Sequence, residues 1–331
     1  MDNLLKYIKH NRCFNLRWMN VKQNLLTIIG IIGYIGILIS INFFQKSYPV
    51  SYMNDEIAVR LTEYMDSHQV EPVEPRSDAI FKFIPGLNGS EVDYELSYNN
   101  MLLNGSFDES LIMCKNIPYT QDSDQFRAEP IYKGNEQGKY VSLLINVAWG
   151  EEELDKMITI LDRLGVRANF FIEGRYAENH KNQVLKLYND GHIIGNHSYS
   201  HPSKWGTYTY EQYAEEIKKT NEVLTSITDE PVIYFAPPGG EFNDRTLKAA
   251  YDEEMYTILW TADTIDWKGG NAETIINRVM KKVEPGALIL MHPKPETVVA
   301  LEPLINELKD EGYQFKTIDE IVKGTRLECS N

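Results

Sequence analysis

The sequence predicts an α/β domain with a mostly parallel sheet over residues 136–327. From Tyr140 onward, short apolar runs rich in β-branched and aromatic residues alternate with segments of helical periodicity. Strands that alternate with helices indicate βαβ units, whose strands pair in parallel. The clearest helix follows Thr209, which stands in capping-box spacing with Gln212. The seven candidate strands cover residues 141–147, 168–172, 192–195, 232–235, 257–261, 287–291 and 314–317.

Periodicity alone is consistent with a barrel or with a doubly wound sheet. Five short polar segments favour the barrel, because each lies at or just after the carboxyl end of a candidate strand. Barrel enzymes assemble their sites from such loops. The segments are Asn146-Val147-Ala148-Trp149-Gly150, His197-Ser198-Tyr199-Ser200-His201, Ala236-Pro237-Pro238-Gly239-Gly240, Asp263-Thr264-Ile265-Asp266-Trp267 and Leu288-Ile289-Leu290-Met291-His292.

Each segment taken alone is also explained without any function. A His-x-x-x-His pair such as His197 and His201 occurs by chance in many sequences. Asp266 beside Trp267 is typical of a capped turn, and His292 at the end of an apolar run is typical of a buried histidine. Only their common order along the strand ends indicates a single site.

The N-terminus predicts a membrane anchor at residues 25–44. These twenty residues carry no charge and, as a helix, would span about 30 Å, which is the thickness of a hydrocarbon core. Five basic residues and only one acidic residue precede them, so residues 1–24 are expected in the cytoplasm and the rest of the chain outside. A removed signal peptide is the alternative, but the apolar run is long for one and no small-x-small cleavage pattern follows it.

Residues 45–135 are expected to form a small extracytoplasmic module or stalk. A helix is predicted over residues 55–67, and the Pro-rich acidic stretch 70–75 is typical of an extended linker. The three cysteines, Cys13, Cys114 and Cys329, are too few and too scattered for a zinc site or a disulfide framework. A single bridge between Cys114 and Cys329 and free thiols both remain open.

Composition excludes one class of partner. The 331 residues contain 48 acidic and 33 basic side chains, for a formal net charge of -15. Such a surface repels phosphate backbones, so no nucleic-acid partner is expected. The sequence makes no prediction of the oligomeric state.

Residues 140–325 resemble the NodB-homology domain of polysaccharide deacetylases, carbohydrate esterase family four, and are most similar to its sporulation-associated YlxY-type branch. The resemblance rests on the five segments and on three further runs. Those runs are Ala168-Asn169-Phe170-Phe171, Gly191-His192-Ile193-Ile194-Gly195-Asn196-His197 and Trp260-Thr261-Ala262-Asp263. The resemblance implies a distorted (β/α) barrel with an incomplete set of strands and a substrate class of cell-wall glycans, peptidoglycan-like N-acetyl sugars.

In that family a divalent metal, held by two histidines and an aspartate, binds the water that attacks an N-acetyl amide. By resemblance, His197 and His201 correspond to the two metal histidines, and the metal would be zinc or cobalt. His292 corresponds to the general acid that protonates the leaving amine, and Asp266 to the carboxylate that orients it.

Three positions depart from the family pattern. Ala148 stands in place of the general base, Trp149 in place of the metal carboxylate, and Ala236 in place of an arginine that braces the base. The losses are coupled, because an arginine without its carboxylate would be a costly buried charge. A missing base alone costs about 10² to 10⁴ in rate, and the Trp indole has no lone pair for a metal.

The sequence therefore predicts that the ordinary deacetylase mechanism is absent and that any metal binds weakly or not at all. The groove is expected to bind glycan through Trp149, Trp267 and Pro238, although Trp149 as a plain core residue is an equal alternative. Two other hypotheses stay open. One is an active, atypical deacetylase in which Glu152 supplies the missing carboxylate, and the other is a membrane-tethered scaffold or wall-binding protein.

Overall fold

The computed structural model describes residues 55–326. The predicted anchor at residues 25–44, Cys13 and Cys329 lie outside the described residues. None of the helices within residues 55–326 combines the length and the apolar character that crossing a membrane requires. The described residues fall into two compact units, with the boundary between Arg60 and Leu61, and every site discussed below lies in residues 61–326.

The N-terminal part contains two small antiparallel sheets. Strands β1 and β2 form one hairpin, and β3 pairs with β4 from Gly89↔Ile117 to Val92↔Cys114. The elements in chain order are α1 Glu56–His68, β1 Arg76–Asp78, β2 Lys82–Ile84, β3 Gly89–Val92, α2 Tyr94–Asn104 and β4 Cys114–Ile117.

The stretch predicted as an extended linker is instead bonded to the first residues of the β3 region. Val70 N donates to Ser90 O at 2.9 Å, and Val73 N donates to Leu87 O at 2.7 Å. The Pro and Glu content of residues 70–75 could not reveal these hydrogen bonds, because the acceptors lie about 14 to 20 residues further along the chain.

The main sheet consists of eight parallel strands with helices between them, as the sequence predicts. Its strands are β5 Tyr140–Val147, β6 Asn169–Ile172, β7 Ile193–Asn196, β8 Tyr234–Phe235, β9 Tyr256–Thr257, β10 Ala262–Asp263, β11 Ala287–Met291 and β12 Gln314–Phe315. Its helices are α3 Glu151–Leu164, α4 Gly174–Asn179, α5 Lys181–Asn189, α6 Tyr210–Thr228, α7 Asp244–Asp252, α8 Ala272–Met280, α9 Pro295–Asp310 and α10 Ile318–Val322.

The strand order is β10-β11-β5-β6-β7-β8-β9, with β12 also paired to β5. Within residues 55–326 no ladder joins β9 to β10, so the sheet curves into an incomplete barrel of the predicted kind. Ile131 pairs in parallel with Ile258 beside this opening, and Lys133 pairs antiparallel with Ala287. The segment that precedes β5 therefore takes part in the barrel.

The predicted strand at residues 257–261 is wrong. Its residues change partner part-way, because Ile258 N donates to Phe235 O in β8 whereas Thr261 N donates to Leu288 O in β11. The chain therefore leaves one side of the barrel after β9 and joins the other side at β10. An apolar run in the sequence carries no record of which strand it pairs with.

Both faces of the main sheet are buried, which explains the nearly continuous apolar run of β5. Val141, Leu143, Ile145 and Val147 face the layer of helices. Alternate residues of the same strand, such as Leu144, face the barrel interior together with side chains of the N-terminal part. Because all main-sheet strands are parallel, their carboxyl ends meet at one edge, and the five polar segments meet there.

Candidate functional site

The first half of the site is a pair of histidines just after β7. His197 is 2% exposed, and its Nδ1 lies 2.7 Å from the Ala236 carbonyl oxygen, so Nδ1 donates the bond and Nε2 is left as the acceptor. The ring centroids of His197 and His201 are 4.9 Å apart. Burial and the nearby His201 lower the pKa of His197 to about 3, which keeps the imidazole neutral. The two imidazoles therefore lie side by side just after β7.

The loop that carries His201 is held in a strained conformation. Ser198 and His201 have φ angles of 64° and 44°, in the left-handed region that side chains rarely adopt. Glu216 of α6 accepts hydrogen bonds from Tyr199 N at 2.9 Å and from Ser200 N at 2.8 Å, and Ser200 Oγ donates to it at 2.7 Å. Charge-assisted bonds of this kind offset the backbone strain.

The second half of the site is a carboxylate–imidazole dyad. His292 Nδ1 donates to Asp266 Oδ1 at 2.7 Å, and His292 N donates to Asp266 Oδ2 at 2.7 Å. Thr297 Oγ1 donates to the same Oδ2 at 2.8 Å. Burial raises the pKa of Asp266, but the bonds from His292 and Thr297 outweigh it, so the net pKa lies below the usual value. Asp266 thus binds the Nδ1 side of the His292 ring and leaves its Nε2 free of the carboxylate.

The turn that presents Asp266 is also strained. Ile265 has a φ of 51°, which is unusual for a β-branched residue. Arg278 Nη1 donates to the carbonyl oxygens of Thr264 and Ile265, at 3.0 Å each. The guanidinium therefore holds the turn that aims the Asp266 carboxylate at His292.

Trp149 connects the two halves. Its indole stacks on the His292 ring with a centroid distance of 5.8 Å and an interplanar angle of 7°. It meets the His201 ring edge to face, with centroids 6.3 Å apart. The side chain is nevertheless 44% exposed, so it is not a plain core residue. The next residue must be glycine, because a Cβ on Gly150 would lie 2.4 Å from the Pro293 carbonyl oxygen and its φ is 86°.

The other predicted binding residues differ in exposure. Trp267 is 52% exposed and carries Lys268 Nζ at 4.7 Å from the centre of its ring. Pro238 is buried in a short 3₁₀ turn, so it offers no open face to a ligand in this structure. Ala236 is 2% exposed and contributes its carbonyl oxygen to His197.

The residues at the metal position do not fit a catalytic zinc or cobalt ion. Such a site requires three protein ligands, and here the neighbour of the His201 ring is the Trp149 indole, whose nitrogen only donates. In residues 55–326, no group of three His, Cys, Asp or Glu side chains is placed to share a metal ion. Glu152 is exposed on the first turn of α3 and belongs to no such group.

Residues 133–258 match the family model described as polysaccharide deacetylase. The chain is 30% identical over 199 residues to the peptidoglycan-N-acetylmuramic acid deacetylase PdaA of Bacillus subtilis, which covers 60% of this chain and 76% of that protein. The chain belongs to the polysaccharide deacetylase family.

Two further proteins are similar to this chain over most of their length. The uncharacterized protein YlxY of Bacillus subtilis is 38% identical over 283 residues, which is 86% of this chain and 88% of that protein. The crystal structure of BA3943, described as a CE4 family pseudoenzyme from Bacillus anthracis, has a TM-score of 0.74 at 36% identity. It covers 83% of this chain and 97% of BA3943. A mutant of BA3943 is described as having restored enzymatic activity.

Within this family site, the structure brings together His197, His201, Asp266, His292 and Trp149, all of which the sequence analysis had selected. It also reveals three supporting residues that the sequence analysis missed, Glu216, Arg278 and Thr297. They lie on helices, 13 to 31 residues from the groups they hold, and no local pattern marks them.

Proposed function

We propose that this chain is a membrane-anchored member of the polysaccharide deacetylase family that binds cell-wall glycan and lacks the ordinary metal-dependent deacetylation. The observation that carries the proposal is the Trp149 indole. It stands between the histidine pair and His292, where the family places a metal carboxylate.

The absence of the mechanism follows from what the remaining groups can do. Without a carboxylate beside His197 and His201, a divalent ion loses one of its three protein ligands, and without a base at Ala148 no side chain accepts the proton of the attacking water. The Asp266–His292 dyad alone can donate a proton to a leaving amine. It cannot supply the nucleophile that must attack first.

Glycan binding is supported by the exposed aromatic faces. Trp149 and Trp267 offer flat apolar surfaces of the kind that pack against the C–H face of a sugar ring. The strained turns at His201 and Ile265 support the same proposal, because a protein keeps such strain where the surrounding structure serves a function. PdaA is named as a peptidoglycan deacetylase, and BA3943 is described as a pseudoenzyme. This chain is similar in sequence to both proteins.

The cellular location is part of the proposal and rests on the sequence. The uncharged run at residues 25–44, preceded by a basic segment, would anchor the protein with residues 45–331 outside the cytoplasm. This topology would place the groove at the cell wall. Fusion of a reporter that is active only outside the cytoplasm to the C-terminus would test it, and a silent reporter would contradict it.

The test of function separates binding from hydrolysis. Full-length protein in detergent is incubated with purified peptidoglycan and with oligomers of N-acetylglucosamine, with Zn²⁺, with Co²⁺ or with EDTA. Binding is expected to be equal in all three conditions, and no acetate is expected. Binding that disappears with EDTA would contradict the proposal. Acetate release that is lost in both His201→Ala and Glu152→Ala would instead establish the atypical deacetylase.

A further inference from the structure

A polar cleft lies between the first turns of α3 and the corner that joins α4 to α5. It encloses about 570 Å³, within the roughly 300–1,000 Å³ typical of small-ligand sites. One wall carries Glu151 and Asp155, which are four residues apart and therefore share a face of α3. The other wall carries His180 and Asn182. The residues that line this cleft belong to none of the five polar segments, so the cleft is distinct from the two halves of the site.

Hydrogen bonds within the protein join the two walls of the cleft. The Gln183 side-chain amide donates to Asp155 Oδ1 at 2.7 Å and to the Glu151 carbonyl oxygen at 3.1 Å. Its own oxygen accepts a hydrogen bond from Tyr176 Oη at 2.5 Å. The Tyr176 ring stacks on the His180 ring, with the two centroids 4.2 Å apart. Because the walls are already held together, a ligand does not have to order these side chains when it binds.

The cleft adjoins the half of the site that carries His201 at two points. Glu151 follows Trp149 by two residues, so their Cα atoms lie within about 7 Å of each other. On the other side, Glu178 lines the cleft and accepts a hydrogen bond from Tyr199 Oη at 2.9 Å. Tyr199 belongs to the strained loop that presents His201. A polymer that lies across Trp149 can therefore continue into the cleft.

The groups that the cleft offers suit a sugar better than an ion. Within residues 55–326, the Asn182 amide makes no hydrogen bond, so its donors and its acceptor are available. The His180 side chain is 25% exposed and lines the cleft. Three acidic and two basic side chains line the cleft, so neither sign of charge dominates. Amide and carboxylate groups beside an aromatic ring provide hydrogen bonds for sugar hydroxyls and a surface for the C–H face of the sugar.

We propose that this cleft is a second sugar subsite, which binds a unit of the glycan chain beyond the unit that lies on Trp149. Asn182 and Asp155 hydrogen-bond the hydroxyls of that unit, and the His180 ring packs against it. The inference rests on the proposed glycan binding and deepens it, because it makes the preferred ligand a chain of several sugar units. A single sugar can occupy only one of the two subsites at a time, whereas a chain can occupy both.

The dependence of affinity on chain length tests the proposal. Full-length protein in detergent is titrated with N-acetylglucosamine and with its hexamer, and the ratio of the two Kd values is measured. The wild type should bind the hexamer roughly 100-fold more tightly than the single sugar. Asn182→Ala should lower this ratio about 10-fold, because hydrogen bonds to the chain are lost. Asp155→Asn, which keeps an acceptor for Gln183 but removes the charge, should lower the ratio as well.

Asn189→Ala is the matched control, because Asn189 is an exposed asparagine on the same helix, α5, but does not line the cleft. This variant should keep the ratio of the wild type. If Asn182→Ala and Asp155→Asn also keep that ratio, the cleft is not a sugar subsite, although binding on Trp149 would still stand. A wild-type protein that binds neither the single sugar nor the hexamer would refute the proposed glycan binding and the cleft together.

Discussion

Replacement of Trp149 by alanine is the most direct test of the proposed glycan groove. One face of the indole stacks on His292, and the opposite face and edges leave the side chain 44% exposed. The variant removes this surface without touching the bonds between Asp266 and His292, which are made by other atoms. Glycan affinity should therefore fall while the site around the dyad keeps its geometry.

The size of the effect follows from the exposed area. A tryptophan side chain presents up to about 250 Å², so 44% exposure leaves about 110 Å² for a ligand to cover. At about 25 cal/mol per Å², full coverage is worth about 2.7 kcal/mol, and coverage of half that area about 1.4 kcal/mol. These free energies correspond to a Kd that rises by about 10- to 100-fold in Trp149→Ala.

The assay is isothermal titration of soluble N-acetylglucosamine oligomers into full-length protein in detergent. Trp149→Phe, which keeps an aromatic face, should lose less affinity than Trp149→Ala. Tyr251→Ala is the matched control, because Tyr251 is similarly exposed, at 49%. Tyr251 lies near the carboxyl end of α7, towards the amino ends of the strands, whereas the site lies at their carboxyl ends. A Kd for Trp149→Ala equal to that of the wild type and of Tyr251→Ala would refute the reasoning.

Three further predictions concern the metal position, the loop and a buried histidine. The triple variant Ala148→Asp, Trp149→Asp, Ala236→Arg should bind one Zn²⁺ in titration calorimetry, whereas the wild type should bind none, because the variant completes a set of three ligands. Equal heats in both proteins would count against the assignment of the metal position. Glu216→Ala should lower the free energy of unfolding, measured in urea, by about 2 kcal/mol, because three hydrogen bonds to a charged acceptor are lost. Glu216→Gln should lower it by less. An equal loss in both variants would contradict a role for the charge. Burial lowers the pKa of His192 to about 4. Between about pH 6.5 and pH 4 the unfolded state therefore binds more protons than the folded state. The free energy of unfolding should fall by up to about 3 kcal/mol as the pH drops through this window. His192→Asn should lose that share of the pH dependence, and superimposable pH curves for the two proteins would disprove it.

The sequence predicted the fold class well because the alternation of apolar runs and helical periods is a local property. The buried run at β5 and the capping box at Thr209 of α6 both appear in the structure where they were expected. The errors occurred where pairing is not local. The predicted strand at 257–261 divides between two partner strands, and the predicted linker at 70–75 bonds to Leu87 and Ser90.

The site residues were selected from their identity, their order and the family resemblance, since each lies within a few residues after a strand. The orientation of Trp149 was not predictable, because it depends on where His201 and His292 lie on distant loops. The same limit applies to Glu216, Arg278 and Thr297, which act on groups that only folding brings near. Polar side chains are common on the exposed faces of helices. The sequence does not distinguish a side chain that holds a functional loop from one that only faces solvent.

By itself, the sequence determined the class of fold and the polar residues that follow its strands, because these depend on which residues are present and how they are spaced. The tertiary structure decided how those residues meet. It placed the Trp149 indole against the rings of His201 and His292 and aligned Asp266 with His292. Those outcomes depend on distances between segments that are far apart in the chain, and such distances are set by the packing of the whole domain.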